Sequence, residues 1–274
     1  MINIKINDFE ISNNHPFTLI AGPCVIENKD HTIHLAGIIH SICSDLKINF
    51  IFKSSFDKAN RTSIQSTRGV GLLKALEIFN EIKSNINCPI LTDVHNESQC
   101  KEISTSNIID IIQIPAFLCR QTDLLIAAGK SKKIINVKKG QFLSPHEMFN
   151  IIEKIHTTNN QQILLTERGT SFGYNNLVSD FRSIEIMKGF EYPVIFDATH
   201  SVQEPGGLGM KSGGKREYIP VLSKAAIAVG VAGIFIETHD DPDNAPSDGP
   251  NMLNVKDLKS LILKLIELDN VSKS

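Results

Sequence analysis

The sequence lacks several features that would place it in a special class of protein. Tryptophan is absent, and aromatic residues make up only 6% of the chain. No uncharged apolar run approaches the roughly 18 residues that a membrane span requires. Neither sign of charge dominates, since 28 Lys and Arg stand against 30 Asp and Glu for a net charge of −2. These absences disfavour a membrane protein, a long disordered chain and a broad nucleic-acid binder, which needs a basic excess.

Cysteine is scarce and scattered. The five cysteines form no CxxC pair, and an odd number suits a reducing compartment better than a disulfide framework. The opening stretch, MINIKINDFEIS, alternates apolar and polar residues and has no apolar signal core. We therefore expect a cytoplasmic protein that is not exported and has neither a membrane nor a nucleic acid as its partner.

The 274 residues do contain a regular alternation of short apolar runs and segments with helical spacing. Residues 2–12 predict a β-hairpin. Eight further runs have the near-continuous apolar character of parallel strands covered on both faces, and segments such as 72–82, 147–155 and 257–268 predict helices between or after them. The eight runs are FTLIAG from Phe17, NFIFKSS from Asn49, PILTDV from Pro89, IDIIQI from Ile109, KIINVK from Lys133, QQILLTE from Gln161, PVIFDAT from Pro193 and GIFIET from Gly233.

Eight strand–helix units predict an α/β protein with a single (β/α)₈ TIM barrel. We expect one domain over residues 1–274, with the hairpin at residues 1–13 closing the bottom of the barrel. An open doubly wound sheet is the alternative architecture. In a barrel the chemistry lies at the carboxyl ends of the strands, so the polar residues at those ends are the candidate site.

Cationic side chains gather at these strand ends. Each one alone is compatible with a solvated surface residue. Together they would repel one another, and burying them without compensation costs several kcal/mol each. An anionic ligand explains the set, because Lys and Arg form strong charge-assisted bonds with phosphate and carboxylate. The set therefore predicts two phosphorylated small-molecule substrates. Its members are Lys53, Lys58, Arg61, Lys138 and Arg168.

A second group could bind a metal ion. Cys24, His200 and Glu237 end the first, seventh and eighth predicted strands, which become neighbours when a barrel closes, and Asp248 lies in the loop after the last of them. A thiolate, an imidazole and two carboxylates suit a divalent transition ion such as Zn²⁺, Fe²⁺ or Mn²⁺. The separation of these residues in sequence leaves open that Cys24 is simply a small buried residue.

Other polar features have no clear chemical assignment. The segments 203–217 and 238–252 are rich in Gly, Pro or acidic residues and predict either lids over the barrel mouth or plain loops. The thiols of Cys43, Cys88 and Cys100 are interpreted as packing residues. Five histidines show no partner pattern, namely His15, His31, His34, His40 and His156.

Eight motifs, in order and over most of the predicted barrel, resemble the 3-deoxy-D-manno-octulosonate-8-phosphate synthase family. The KANR and ERGxxFGYxNLVxD segments are its most specific features. The matching segments are AGPCVIE from Ala21, FKSSFDKANRTS from Phe52, TDVH from Thr92, IIQIPAFLCRQTDLL from Ile111, INVKKGQFLSP from Ile135, ERGTSFGYNNLVSD from Glu167, FDATHSVQ from Phe196 and IETHDDPDNAPSDGPN from Ile236.

The resemblance implies an enzyme that condenses phosphoenolpyruvate with D-arabinose 5-phosphate and water in lipopolysaccharide inner-core sugar (KDO) biosynthesis. It also implies a cytoplasmic homotetramer of (β/α)₈ barrels. The implied phosphoenolpyruvate ligands are Lys138, Arg168 and the Ala116 backbone for the phosphate, and Lys53, Lys58 and Gln113 for the carboxylate end. The implied sugar-phosphate ligands are Asn60, Arg61 and Thr62, with Arg120 from a neighbouring subunit, Asp93 for the hydroxyls and Gln203 in the same substrate set.

The same family implies the metal site. Members with Asn at the position of Cys24 work without a metal and members with Cys use one, so the metal-dependent class is expected here. The implied ligands are Cys24, His200, Glu237 and Asp248. The residues expected to take part directly in catalysis are Lys58, Lys138, Arg168, His200 and Asp248.

Three alternatives remain at this point. The sister synthase that uses erythrose 4-phosphate shares the barrel and the metal ligands, although Asn60 matches the arabinose-specific pattern. A Schiff-base aldolase would use Lys138 or Lys53 as its nucleophile. A sugar-phosphate binding protein without turnover would need only the cations. The chain departs from the resembled pattern at residues 62–66, which puts the details of the sugar-phosphate contacts in doubt.

Overall fold

A computed structural model describes residues 1–61, 63–64, 67–207 and 213–274. It begins with an antiparallel hairpin in which Ile4 pairs with Ile11. The hairpin strands are β1 (Ile4–Ile6) and β2 (Phe9–Ile11). The eight parallel strands that follow are β3 (Thr18–Gly22), β4 (Phe50–Lys53), β5 (Ile90–Asp93), β6 (Ile111–Ile114), β7 (Ile134–Lys138), β8 (Ile163–Glu167), β9 (Val194–Asp197) and β10 (Gly233–His239).

The sheet closes on itself. Each of β3 to β8 pairs with the next strand along the chain. In addition, β9 pairs in parallel with β10, and β10 pairs in parallel with β3. The last two pairings place Ile195 opposite Gly233 and Glu237 opposite Gly22. The prediction of a (β/α)₈ barrel is therefore confirmed, and the open doubly wound sheet is wrong.

Helices connect the strands and cover the barrel from outside. Several begin at asparagine caps, such as Asn28, Asn96 and Asn254, whose side chains accept hydrogen bonds from backbone N–H groups of the first turn. The helix predictions at 72–82, 147–155 and 257–268 are confirmed to within a turn or so. The helices are α1 (Lys29–Leu46), α2 (Leu72–Ile86), α3 (Glu97–Ser104), α4 (Thr122–Lys130), α5 (Met148–His156), α6 (Arg182–Lys188), α7 (Ile219–Ala228) and α8 (Val255–Ser272).

Apolar packing divides into two clusters. The larger lies between the barrel wall and the helices, as expected for strands buried on both faces. The smaller fills the lower interior of the barrel and includes Ile4, Ile6 and Ile11 of the hairpin together with Ile20 and Ile111 of the wall. The hairpin thus closes the amino-terminal end of the barrel, as predicted.

Short irregular elements lie at the opposite, carboxyl-terminal end of the barrel. Two-residue strands pair antiparallel at 170–171 with 177–178 and at 203–204 with 213–214. Another short strand at 253–254 pairs with β10. Residues 208–212, within one of the two predicted lids, lie outside the described residues, and lid motion stays a prediction for both segments.

No helix in the described part of the chain combines enough length with enough apolar character to cross a membrane.

The contact between β3 and β4 yields a stability prediction. A Cβ atom added to Gly22 would lie 1.9 Å from the carbonyl oxygen of Lys53, which belongs to the barrel backbone and cannot turn away. We expect Gly22→Ala to lower the free energy of unfolding by about 1–3 kcal/mol, measured by urea denaturation. Gly37→Ala on α1 is the control, since nothing lies within 4 Å of its new Cβ. The free energy of unfolding of Gly37→Ala should rise by about 1 kcal/mol, because alanine has the higher helix propensity. An equal loss of stability in both variants would contradict the prediction.

Candidate active site

A cavity of about 400 Å³ opens at the carboxyl-terminal end of the barrel. Most of the predicted site residues meet there, because the strand ends that carry them converge on one mouth. The predicted residues that line the cavity are Lys53, Lys58, Asn60, Arg61, Asp93, Gln113, Ala116, Lys138, Arg168, His200, Gln203, Glu237 and Asp248.

Three of the predicted residues are not among those that line the cavity, and one of these three lies outside the described residues. Cys24 is buried and does not line the cavity, but it contacts Asp248, which does. Arg120 is exposed just beyond the short helix at 116–118 and lies outside the cavity of its own chain. Thr62 lies outside the described residues, so its expected role in sugar-phosphate binding is untested.

Two buried lysines in the cavity have carboxylate partners. Lys53 Nζ lies 2.6 Å from Glu237 Oε1 and also donates to the Cys24 carbonyl. Lys138 Nζ forms an ion pair with Asp197 and lies 3.4 Å from the ring centre of Phe235. Burial lowers the pKa of Lys138 to about 8, although Asp197 opposes this shift. Lys138 is therefore a cation that can lose its proton near neutral pH.

The carboxylates opposite these lysines stay ionised. Burial alone would raise the pKa of Glu237, but the charges of Lys53 and His200 outweigh it and hold that pKa well below its ordinary value. The same balance holds for Asp197, where His200 and Lys138 supply the positive charge. The cavity thus contains formed ion pairs, which allow several charges to share a buried space.

Arg168 differs from the lysines because no carboxylate forms an ion pair with it among the described residues. Its guanidinium is buried, one nitrogen donates to Gln203 Oε1 at 3.0 Å, and Nη1 is buried without a hydrogen-bond partner. Burial lowers the pKa of this arginine, although nearby acids oppose the shift. Glu167 fixes the backbone beneath it by accepting from the N–H groups of Arg168 and Gly169 at 3.0 and 2.7 Å. Arg168 is therefore a buried cation at the cavity that has acids nearby but none at ion-pair distance among the described residues.

The four predicted metal ligands come together at one side of the cavity. Cys24 Sγ lies 3.1 Å from Asp248 Oδ2. His200 Nε2 lies 3.7 Å from Glu237 Oε2 and 3.9 Å from Asp248 Oδ2. Ligand atoms of Cys24, Glu237 and Asp248 all lie within 4.8 Å of one another.

Two observations indicate that a divalent cation fits this group. Glu237 Oε2 is buried and has no hydrogen-bond partner among the described residues, although it lies 3.7 Å from His200 Nε2. Burial, together with the charges of Asp248 and Glu237, raises the pKa of Cys24 well above its ordinary value, so the thiol remains protonated unless a cation offsets the two carboxylates. Asp197 Oδ2 contacts His200 Nδ1 at 2.7 Å and so leaves Nε2 facing the group.

Polar residues on the other side of the cavity form a separate network. Asp93 accepts from Ser55 Oγ at 2.5 Å and lies 3.0 Å from His95 Nε2. Gln113 accepts from Asn136 at 3.0 Å. Arg61, nearer the rim, donates to Ser247 Oγ at 2.6 Å, which ties it to the segment that carries Asp248.

Sequence reasoning missed several residues of this site. Asp197 and Ser55 were not selected, although Asp197 pairs with both Lys138 and His200 and Ser55 holds Asp93. Phe235 lies beneath two lysines. Its position two residues before Glu237 on β10 was the available signal, since alternate residues of a strand share a face.

The interpretation that His31 and His156 have no partner is wrong. His31 Nε2 lies 2.9 Å from Asp240 Oδ1, because α1 packs beside the end of β10. His156 Nε2 lies 2.5 Å from the Tyr192 hydroxyl. Both contacts join residues far apart in sequence, so no local pattern reveals them.

Comparison with known proteins gives a consistent result. The family model described as the DAHP synthetase I family matches residues 1–274. A protein of Rickettsia prowazekii named 2-dehydro-3-deoxyphosphooctonate aldolase is 57% identical, over 98% of each chain. Proteins of the same name from Bartonella henselae and Brucella anthropi are 56% and 55% identical, over 98% and 99% of this chain and 96% and 97% of theirs. The chain therefore belongs to the DAHP synthetase I family, within its group of 2-dehydro-3-deoxyphosphooctonate aldolases.

Proposed function

We propose that this protein condenses phosphoenolpyruvate with D-arabinose 5-phosphate and water, which yields 3-deoxy-D-manno-octulosonate 8-phosphate and inorganic phosphate for KDO biosynthesis. The observation that carries the proposal is Arg168, a buried guanidinium that forms no ion pair with a carboxylate of the described residues and lies in a cavity lined by three lysines. A buried, unpaired cation is costly unless an anion binds there. The names of the relatives identify which anions to test.

Phosphoenolpyruvate fits the deepest part of the cavity. Arg168 and Lys138 are buried and would hold its phosphate, helped by the backbone of Ala116 at the rim. Lys53 and Lys58, together with Gln113, would hold the carboxylate end. Each lysine keeps one carboxylate neighbour and has further donors to offer, so substrate binding does not require the existing pairs to break.

The sugar phosphate fits nearer the opening. Asn60 and Arg61 line the cavity but are more exposed than Lys138 and Arg168, and Arg61 is held by Ser247 rather than by a carboxylate. Asp93, fixed by Ser55 and His95, offers an acceptor for sugar hydroxyls between the two anion sites. The cations would thus bind two anions that repel each other and bring their reacting carbons together.

The reaction follows from that placement. The electron pair of the enol double bond forms a bond from C3 of phosphoenolpyruvate to the aldehyde carbon of the open-chain sugar, and the aldehyde oxygen takes up a proton. Positive charge then develops at C2, where Glu237 and Asp248 face the cavity. Water adds at C2 and loses a proton, which leaves a hydroxyl group there. That hydroxyl then loses its proton and becomes the C2 carbonyl, while phosphate leaves with the electron pair of the C2–O bond. Arg168 and Lys138 would stabilise the departing phosphate.

The residues that would hold a divalent transition ion are Cys24, His200, Glu237 and Asp248. Such an ion acts as a Lewis acid and can orient a carbonyl or a water molecule. Zn²⁺, Fe²⁺ and Mn²⁺ are all compatible with one thiolate, one imidazole and two carboxylates. Asp197 would orient His200 and at the same time neutralise Lys138, so it couples the metal site to the phosphate site.

We also propose a cytoplasmic homotetramer in which Arg120 completes the sugar-phosphate site of a neighbouring subunit. Arg120 is exposed and outside its own cavity. Phe117, in the same segment, lines the mouth and yet is 53% exposed, which suits cover by another chain. Sedimentation of the purified protein, and the sugar KM of Arg120→Ala, would test both parts.

The direct test of the activity is phosphate release from phosphoenolpyruvate. The assay is run with arabinose 5-phosphate or erythrose 4-phosphate, before and after treatment with a chelator. We expect release with arabinose 5-phosphate only, and its loss on chelation with recovery when Mn²⁺ or Zn²⁺ is added. Release only with erythrose 4-phosphate would overturn the substrate, and release that survives chelation would overturn the metal requirement alone.

The lowered pKa of Lys138 gives a prediction for pH dependence. The protonated form binds phosphate, and its pKa in the free protein is about 8, so kcat/KM for phosphoenolpyruvate should fall as pH rises through 8. Bound phosphate favours the charged form, so the fall in kcat should occur at higher pH. Lys138→Arg, which keeps its charge, should move the falling limb of kcat/KM upward. If the falling limb of kcat/KM stays at the same pH in Lys138→Arg, the fall is caused by a group other than Lys138.

A further inference from the structure

A second group of metal-binding side chains lies outside the cavity, beside the end of β10. It consists of Glu27 from the loop after β3, His31 from the first turn of α1, and His239 and Asp240 at the end of β10. One ligand atom from each of Glu27, His31 and His239 lies within 4.8 Å of the others. We propose that this group binds a second divalent transition ion of the Zn²⁺ class, with Glu27, His31 and His239 as its protein ligands.

The contacts within the group favour an ion. Glu27 Oε1 lies 2.7 Å from His239 Nε2, and Asp240 Oδ1 lies 2.9 Å from His31 Nε2 and 3.2 Å from His239 Nδ1. The two rings pack with centroids 4.6 Å apart. Two imidazoles and one carboxylate are a ligand set that zinc uses in proteins, with the remaining position left to water.

Charge gives a second argument. Every ion pair of Glu27 and Asp240 found in the described residues is with the same two imidazoles, and no Lys or Arg takes part. With neutral imidazoles the group carries two negative charges, which one divalent cation balances. His31 Nδ1 is also buried without a hydrogen-bond partner among the described residues, so the protein alone does not complete the bonding of this ring.

Asp240 would act as the carboxylate that orients the ligand rings. The backbone N–H of Asp241 donates to His239 Nδ1 at 2.9 Å, which places the ring proton on Nε2, toward Glu27. An ion at Nε2 displaces that proton to Nδ1, where Asp240 Oδ1 is positioned to accept it and the Asp241 contact is given up. A carboxylate on the far nitrogen is the usual companion of a metal-bound histidine.

The location suggests what the ion would do. It would join the first turn of α1 to the start of the segment 240–252, which carries Asp248 of the first metal site. Such an ion would lie outside the cavity, and it would brace the start of this segment without being needed for the first site to form.

Metal stoichiometry tests the proposal without relying on activity. The full protein is stripped with a chelator, reloaded with Zn²⁺ or Co²⁺, dialysed and analysed for metal per chain. We expect about two ions in the natural protein and about one in both His31→Asn and Glu27→Gln. His34→Asn is the matched control, because His34 is exposed on the same helix, and it should keep both ions.

Cobalt separates the two sites. A thiolate-to-cobalt charge-transfer band reports only a site that contains Cys24, so His31→Asn should keep the band and Cys24→Ser should bind one ion without it. Equal metal content in the natural protein, His31→Asn and Glu27→Gln would overturn the second site. A natural protein with one ion and no band, and no ion in His31→Asn, would support the second site and overturn the first.

Discussion

Arg168→Met is expected to lower kcat/KM for phosphoenolpyruvate by roughly 10- to 100-fold, because a charged hydrogen bond to a ligand contributes about 1.5–3 kcal/mol. Its folding should respond in the opposite direction. The guanidinium is buried without an ion-pair partner in the described residues, and Met keeps most of its apolar packing. We expect the free energy of unfolding to rise by an amount on the order of 1 kcal/mol. On the same preparation, steady-state kinetics measure kcat/KM and urea denaturation measures the free energy of unfolding.

The matched control for this variant is Arg182→Met. Arg182 begins α6, is 87% exposed at its side chain and pairs with Asp180, so its removal should change neither quantity appreciably. Loss of both activity and stability in Arg168→Met would contradict the proposal, since that result describes an arginine held for structural reasons. Loss of activity with a gain in stability is the pattern of a residue kept for its ligand.

Cys24→Ser is expected to remove the metal-stimulated activity, a loss of at least about 100-fold, because a buried hydroxyl between two carboxylates is a much poorer zinc ligand than a thiolate. Metal content at the first site should fall in parallel. The assay compares phosphate release by the natural protein and the variant, each with Mn²⁺, with Zn²⁺ and in chelator.

Cys43→Ala is the control for the loss of a buried thiol. Cys43 packs within α1, and burial raises its pKa to about 12, so it is inert at neutral pH. This variant should keep its metal and its response to chelation, even if it is less stable. Full activity of Cys24→Ser in chelator would refute the metal role of Cys24.

The fold could be predicted almost entirely from the sequence. The eight apolar runs are separated by helical segments; seven of them contain their observed strand, and the strand of the eighth extends one residue further, to His239. Parallel strands that are covered on both faces give continuous apolar runs, so the order and number of the strands could be predicted. Closure of the sheet into a barrel could not be predicted in the same way, because the pairings of β9 with β10 and of β10 with β3 join distant segments. Only the count of eight pointed to a barrel.

The site was partly predictable, and the missing part has a physical reason. Lys138 and Arg168 stand at strand ends, where barrel topology directs them to one mouth. Their difference was not visible in sequence: Lys138 pairs with Asp197, two strands away in the barrel, whereas Arg168 has no such pair in the described residues. The partners of a buried charge are fixed by tertiary packing, so the sequence shows which cations gather and not which of them lacks an ion pair among the described residues.

The hairpin that plugs the amino-terminal end has a consequence for ligand traffic. Ile4, Ile6 and Ile11 pack into the lower interior, so among the described residues the cavity opens at the carboxyl-terminal end of the barrel alone. With the proposed placement of the substrates, phosphoenolpyruvate at buried Arg168 would enter before the sugar phosphate at Arg61 nearer the rim. The ordered binding expected from that placement would then depend on the hairpin at the other end of the barrel.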